Sequence, residues 1–123
     1  MDRGIFHKNT GAASSVLLGT RHSFKKSQRQ ERLVFDFDGA VAPKAYVYAA
    51  GHKKKIYLDF FNTSLSKDIK PFGKSHFVKA IDYFPISKEQ LSLELAFKSQ
   101  VTVDIFYLEN AGQKGRLVLD IKE

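Results

Sequence analysis

The chain contains no cysteine and no tryptophan, and it has one methionine and three prolines in 123 residues. Without cysteine there is no disulfide framework, no thiolate nucleophile and no Cys-ligated zinc, and the redox compartment is left open. No apolar run approaches the roughly 18 residues of a membrane span. The opening MDRGIFHKNTGAAS lacks the long apolar centre of a signal peptide. The sequence therefore reads either as cytoplasmic or as a domain of a longer exported chain. It carries no G-x-S-x-G, P-loop or dinucleotide glycine fingerprint. His7, His22, His52 and His76 are dispersed, with no H-x-x-x-H pair and no Glu spaced for zinc, so each reads as a surface or turn histidine. The expectation is a protein that is not an enzyme, with no catalytic residue, metal or cofactor.

What is present points to a folded β protein. Hydrophobic residues make up 43% and aromatics 13%, with eleven Phe and five Tyr, a composition that favours strands over disorder. At this length one domain with a single core is expected. A net charge of +7 and a pI near 9.6 favour anionic partners such as nucleic acid, acidic lipid or a wall polymer.

Residues 1–14 are polar, small and aperiodic and read as a flexible tail. From Val16 onward, short alternating runs separated by polar or glycine breaks predict strands near 16–24, 32–38, 44–50 and 54–61. A second set follows near 76–84, 90–97, 101–109 and 115–122. The connector NTSLSKDIKPFGKS (62–75) holds the breakers Pro71 and Gly73, and 68–74 has a weak helical-turn pattern. Asn62-Thr63-Ser64 matches a glycosylation sequon, a match of three residues only. Lys25-Lys26 with Arg29, and Lys53-Lys54-Lys55, fall at predicted connections and read as solvated hairpin tips.

The two sets resemble each other at a period close to 60 residues: ERLVFDF against QLSLELAF, KAYVYAA against VDIFYLE, KKIYLDF against GRLVLDI. Two four-stranded half-units, about 15–61 and 76–122, are expected to pack face to face as an all-β sandwich of two four-stranded sheets with an internal pseudo-two-fold repeat.

One plan recurs three times, in RLVFDFD (32–38), KIYLDF (55–60) and RLVLDI (116–121). A basic residue is followed two positions on by an apolar one, and two further on by aspartate. Alternation assigns Leu33, Phe35, Phe37, Ile56, Leu58, Phe60, Leu117, Leu119 and Ile121 to the core. Arg32, Val34 and Asp36 face outward, as do Lys55, Tyr57 and Asp59, and Arg116, Val118 and Asp120. Each outward set places a cation and a carboxylate about 13 Å apart. These outward residues serve either cross-strand ion pairing or a binding surface. In the second case guanidinium groups would hold carboxylates, Asp would accept hydrogen bonds from sugar hydroxyls, and Tyr57 would lie against a sugar ring.

The paired R-[LV]-V-x-D segments, one opening the first half and one closing the second as GRLVLDI, resemble the AMIN domain. That is the non-catalytic localisation domain of periplasmic N-acetylmuramoyl-L-alanine amidases and type IV pilus secretins, and the resemblance covers roughly residues 16–122. It implies two symmetry-related four-stranded sheets, a periplasmic or cell-envelope location and peptidoglycan binding. Any amidase zinc centre would lie in another domain. The family's motif residues fall on Arg32, Val34 and Asp36, and on Arg116, Val118 and Asp120. The middle segment departs from the family pattern, with Gly51-His52-Lys53-Lys54-Lys55 where the family offers a proline and then an arginine. The segment before Leu91 lacks the basic residue.

Two further readings compete. A small basic β-domain would bind nucleic acid through Tyr46, Tyr48 and Phe106, although carboxylates in several strands disfavour a phosphate-tracking groove. A protein-docking domain of a secretion or pilus assembly would use an exposed sheet edge, and outward apolar residues on an edge strand would be its mark.

Overall fold

The computed structural model describes residues 4–7, 15–39, 43, 45–49, 54–69, 73–87, 90–108 and 115–122. Among them are ten strands: β1 (Gly4–His7), β2 (Ser15–Lys25), β3 (Gln30–Phe37), β4 (Ala45–Ala49), β5 (Lys55–Phe61), β6 (Thr63–Leu65), β7 (Val78–Ser87), β8 (Gln90–Phe97), β9 (Thr102–Leu108) and β10 (Arg116–Lys122). No helix occurs among the described residues, so none there could cross a membrane. The weak helical-turn pattern at 68–74 falls partly outside them.

The strands form two sheets, β1-β4-β5-β8-β7 and β6-β2-β3-β10-β9, called here the first and second sheet. Each has five strands rather than the expected four. The segment expected as a tail contributes β1, antiparallel to β4. The connector contributes β6, three residues running parallel to the start of β2. All other pairings are antiparallel.

The half-units do not pack one against the other. Each sheet takes two strands from each half, because β3 pairs with β10 and β5 with β8. Exchanging β2, β3, β4 and β5 for β7, β8, β9 and β10 nevertheless turns the order β2-β3-β10-β9 into β7-β8-β5-β4, which is the other sheet read backwards. The register carries the same correspondence. β2 bulges between Leu17 and Gly19 opposite Phe37 and Asp36, and β7 bulges between Val78 and Ala80 opposite Phe97 and Ala96. A bulge sharpens local twist, so β2 and β7 bend at matching places.

The core is the space between the sheets. Every residue that alternation assigns to it is buried: Leu33, Phe35 and Phe37 on β3, Leu117, Leu119 and Ile121 on β10, and Ile56, Leu58 and Phe60 on β5. Leu91, Leu93, Leu95 and Phe97 of β8 complete the facing layer. Phe60 joins the layers by edge contact with Phe37 (centroids 5.3 Å apart) and tilted contact with Phe35 (6.1 Å), arrangements that aromatic quadrupoles favour. At the side of the sandwich, the Thr20 and Tyr83 hydroxyls share a 3.1 Å hydrogen bond from sheet to sheet. No strand among the described residues covers the outer face of either sheet.

Candidate binding face

The outer face of the second sheet explains the repeated plan. β3 and β10 run antiparallel with Arg32 opposite Asp120, Val34 opposite Val118 and Asp36 opposite Arg116. A segment written basic-x-apolar-x-acidic is complementary to its own antiparallel copy: each cation meets a carboxylate, and the apolar centres meet each other. Arg32 donates from Nε and Nη2 to both Asp120 oxygens, at 2.8 and 2.9 Å. Arg21 of β2 donates in the same two-pronged way to Asp36, at 2.6 and 2.9 Å. The Arg116 Nε stands 3.6 Å from Asp36. The hydrogen bonds from Arg32 hold the Asp120 carboxyl below the usual carboxylate range, against a smaller opposing effect of burial.

The guanidinium of Arg32 also lies 5.3 Å from the centre of the Phe106 ring on β9, a cation–π contact. To reach it from β3, the side chain passes across β10 near Val118. Val118 has no exposed surface, although it sits on the outer side of its strand. This corrects one expectation, since a residue fully covered by its neighbours offers no apolar contact to a polymer. Val34 is half-buried. The Arg/Asp pairs are thus engaged with one another, as in the ion-pairing alternative.

The outer face of the first sheet differs in kind. Lys55, Tyr57 and Asp59 of β5 point outward between buried Ile56, Leu58 and Phe60, and Tyr46 and Tyr48 of β4 alternate with buried Ala45 and Val47. Tyr48 stands opposite Tyr57 and Tyr46 opposite Asp59. The Tyr48 and Tyr57 rings stack with centroids 5.1 Å apart and planes 21° from parallel, and Tyr46 leans on Tyr48 at 5.3 Å. On the far side of β5, Tyr57 faces Glu94, Asp59 faces Ser92 and Lys55 faces Ala96. Ser92 donates to Asp59 at 2.7 Å, and the Lys55 ammonium reaches Glu94 at 3.5 Å. Beyond them on β7 stand Ala80, Asp82 and Phe84.

The result is a row of three half-buried tyrosines beside a low floor of Ser92, Ala96 and Ala80, fringed by Asp59, Glu94, Asp82 and Lys55. Among the described residues of β4, β5, β8 and β7, this patch gathers three carboxylates around one ammonium, whereas the second sheet presents Arg21, Lys25, Arg32, Arg116 and Lys122 against Asp36, Asp104 and Asp120. Of the expected site residues, the structure gathers Tyr57, Lys55 and Asp59 here and adds Tyr46 and Tyr48. It places the six Arg/Val/Asp motif residues together on the opposite side of the sandwich. No family model matches the chain, and searches of curated proteins and of solved structures return no significant match.

A buried carboxylate forms a third polar cluster. Glu31 has no exposed surface, because alternation along β3 puts it on the core side with Leu33, Phe35 and Phe37. It accepts hydrogen bonds from Ser75 Oγ (2.5 Å) and from the backbone N–H groups of Phe77 (2.9 Å) and His76 (3.1 Å). His22 Nδ1 lies 3.3 Å away. Ser75 Oγ in turn accepts from the Val78 N–H at 3.0 Å, and Lys98 Nζ donates to the Ser75 carbonyl at 2.9 Å. Glu31 thereby fastens the end of the connector across the sandwich. Burial alone would favour its neutral form and is the largest single influence, but Ser75, the two backbone donors and His22 together hold its pKa below the ordinary value.

Two histidines expected to be idle surface groups have defined neighbours. His22 is half-buried beside Glu31, and the exposed His76 stacks on Phe24 at 3.8 Å. His52 and Lys53 lie outside the described residues. The Lys26–Arg29 stretch forms the exposed β2–β3 turn, whereas Lys55 belongs to a strand rather than to a connection.

Proposed function

We propose that this chain is a non-catalytic cell-envelope targeting module that binds peptidoglycan, as part of a longer exported protein, and that its contact surface is the outer face of the first sheet. The observation that carries this reading is the tyrosine row Tyr46-Tyr48-Tyr57 beside Asp59, Ser92, Glu94 and Lys55. Aromatic side chains that present an apolar body with a polar tip suit sugar rings, whose faces carry C–H groups and whose rims carry hydroxyls. Carboxylates and a serine hydroxyl at the fringe accept from, and donate to, those hydroxyls.

The interchangeable strand orders and matched bulges support reading the two halves as copies, in keeping with the likeness of RLVFD and GRLVLDI to the AMIN domain. On this reading the arginine face serves mainly as the cross-half fastening that joins β3 to β10. The test is co-sedimentation of the purified chain with purified sacculi over a salt series. Tyr48→Ala/Tyr57→Ala and Arg116→Ala/Asp120→Ala variants, each checked for folding, are run beside it. Pelleting that survives moderate salt and fails only in the folded tyrosine variant supports the reading; equal pelleting of all three overturns the assignment of the face.

One observation favours a second reading. Phe84 and Ile86 of β7, an outermost strand of the first sheet, are 48% and 61% exposed. Outward apolar residues on an edge strand are the mark of a protein-docking domain. In that case, Phe84→Ser/Ile86→Ser abolishes capture by an envelope assembly and leaves sacculus pelleting unchanged.

A further inference from the structure

Sheet edges invite pairing, and proteins ordinarily blunt them with short strands, bulges, prolines or lysines. Three of the four outermost strands here are blunted in these ways. β1 has four residues and β6 has three. β7 carries two register breaks, Lys79 and Pro85. The fourth, β9, has none of these devices. It pairs with β10 in unbroken register from Thr102 to Leu108, and its sequence TVDIFYL holds no proline, no glycine and a single charge. No strand among the described residues covers its other side.

We infer that β9 pairs with β9 of a second copy of this chain, antiparallel about Ile105, so that the second sheets of two molecules join into one continuous sheet. The register follows from symmetry and charge. A two-fold pairing keeps inner and outer faces continuous only when residues of the same face meet, as they do when the axis passes through a residue pair. An axis at Asp104 would set two like charges directly opposite each other, which is destabilising. An axis at Ile105 sets Asp104 opposite Phe106 of the other copy, and Val103 opposite Tyr107.

That register gives Asp104 a partner it lacks among the described residues. Asp104 is exposed, stands beside Asp120 in the β9–β10 pairing and makes no ion pair among the described residues. Across the axis it arrives at Phe106, over whose ring Arg32 already lies at 5.3 Å. Arg32 bonds Asp120 through Nε and Nη2, which leaves N–H donors of its Nη1 for a second carboxylate. An unmatched acid on each copy thus meets an arginine on the other, twice per dimer, and this complementarity identifies the occupant as a second copy.

The test is sedimentation equilibrium of the full chain from micromolar to millimolar concentration, with single cysteines placed in this otherwise cysteine-free protein. The expected mass rises from 13.9 kDa to twice that value. Asp104→Lys is expected to weaken the dimer about tenfold or more by setting a cation against Arg32, with its circular dichroism unchanged. Under mild oxidation Ile105→Cys cross-links, because opposed Cα atoms on antiparallel strands lie about 4.5–5.5 Å apart, within disulfide reach. Asp104→Cys does not, because its symmetry mate is displaced by two residues, to about 8 Å. A chain that stays monomeric to millimolar concentration, or a dimer that Asp104→Cys cross-links and Ile105→Cys does not, overturns the proposal.

Discussion

Replacing Glu31 tests whether a buried charge, rather than apolar burial alone, holds the connector to the sandwich. Glu31→Gln keeps the shape of the side chain but exchanges one carboxylate oxygen for an amide nitrogen. Both oxygens now face donors: Ser75 Oγ and the Phe77 N–H on one side, and the His76 N–H on the other, where His22 Nδ1 also lies 3.3 Å away. Whichever way the amide turns, its N–H group meets another N–H or a hydroxyl already committed to Val78. Hydrogen bonds to a charged acceptor contribute about 1.5–3 kcal/mol each, so losing one or two of them costs about 2–4 kcal/mol. Glu31→Ala, which strands every donor, costs about 3–5 kcal/mol. Against a domain stability of about 5–15 kcal/mol, either loss is large.

The pH dependence gives the signature. The folded-state pKa of Glu31 lies below its ordinary value, so the folded state favours the carboxylate. Its contribution is fully present above the ordinary glutamate value of the unfolded chain and is lost as pH falls through the lower folded-state value. Asp120, also depressed, adds to the wild-type decline in the same direction. Urea unfolding followed by circular dichroism at neutral pH and in a series down to about pH 3 measures the difference. The expected result is a gap of at least about 2 kcal/mol between wild type and Glu31→Gln at pH 7 that narrows in acid. A gap under about 0.5 kcal/mol at neutral pH, or one that does not change with pH, refutes the reasoning.

Other consequences can be checked alongside. A double-mutant cycle on Arg32 and Asp120 should give a coupling of about 0.5–1 kcal/mol, because the arginine is substantially exposed, and it should shrink as salt rises. Phe106→Leu should weaken that coupling by removing the ring over which Arg32 lies, read in the same cycle. Gly73 has φ near +85° with open space where a Cβ would stand, so Gly73→Ala should cost about 1–2 kcal/mol of thermal stability from backbone conformation alone. Val118→Ser should be destabilising by about 1–3 kcal/mol despite its outward position, because Val118 has no exposed surface; a change within 0.5 kcal/mol would contradict its burial.

The strands and the core were legible in the sequence because alternation is a local signal. Leu33-Phe35-Phe37 and Leu117-Leu119-Ile121 disclose their buried side without knowledge of their neighbours. Pairing partners were not legible in the same way. The likeness of 32–38 to 116–121 reads as repetition until the two are set antiparallel, when basic-x-Val-x-Asp becomes complementary to itself; only the register of β3 on β10 shows that. The exchange of strands between sheets was hidden for the same reason, since halves that resemble each other along the chain need not fold as separate layers. β1 and β6 were missed because four- and three-residue strands carry too few alternations to stand out.

At the candidate sites, Tyr57 was visible as an outward aromatic. Its stack on Tyr48 depends on the β4–β5 register and was not. Glu31 did leave a signal: it is a carboxylate in the same alternating column as Leu33, Phe35 and Phe37, and a charge in a core column implies a buried partner. Its partners lie 44 to 46 residues away in the chain, beyond any local pattern. Val118 failed as a contact residue because its cover comes from side chains of neighbouring strands, which alternation within β10 does not register.

The most direct measurement is amide chemical-shift mapping of the isotope-labelled chain titrated with a soluble, uncharged peptidoglycan glycan fragment, repeated with a stem-peptide fragment. Saturable shifts for the glycan fragment are expected to concentrate on Tyr46, Tyr48, Tyr57, Asp59 and Ser92, with β3 and β10 largely unaffected. Shifts centred on Arg32, Asp36, Arg116 and Asp120, or no saturable shift with either fragment, would contradict that expectation.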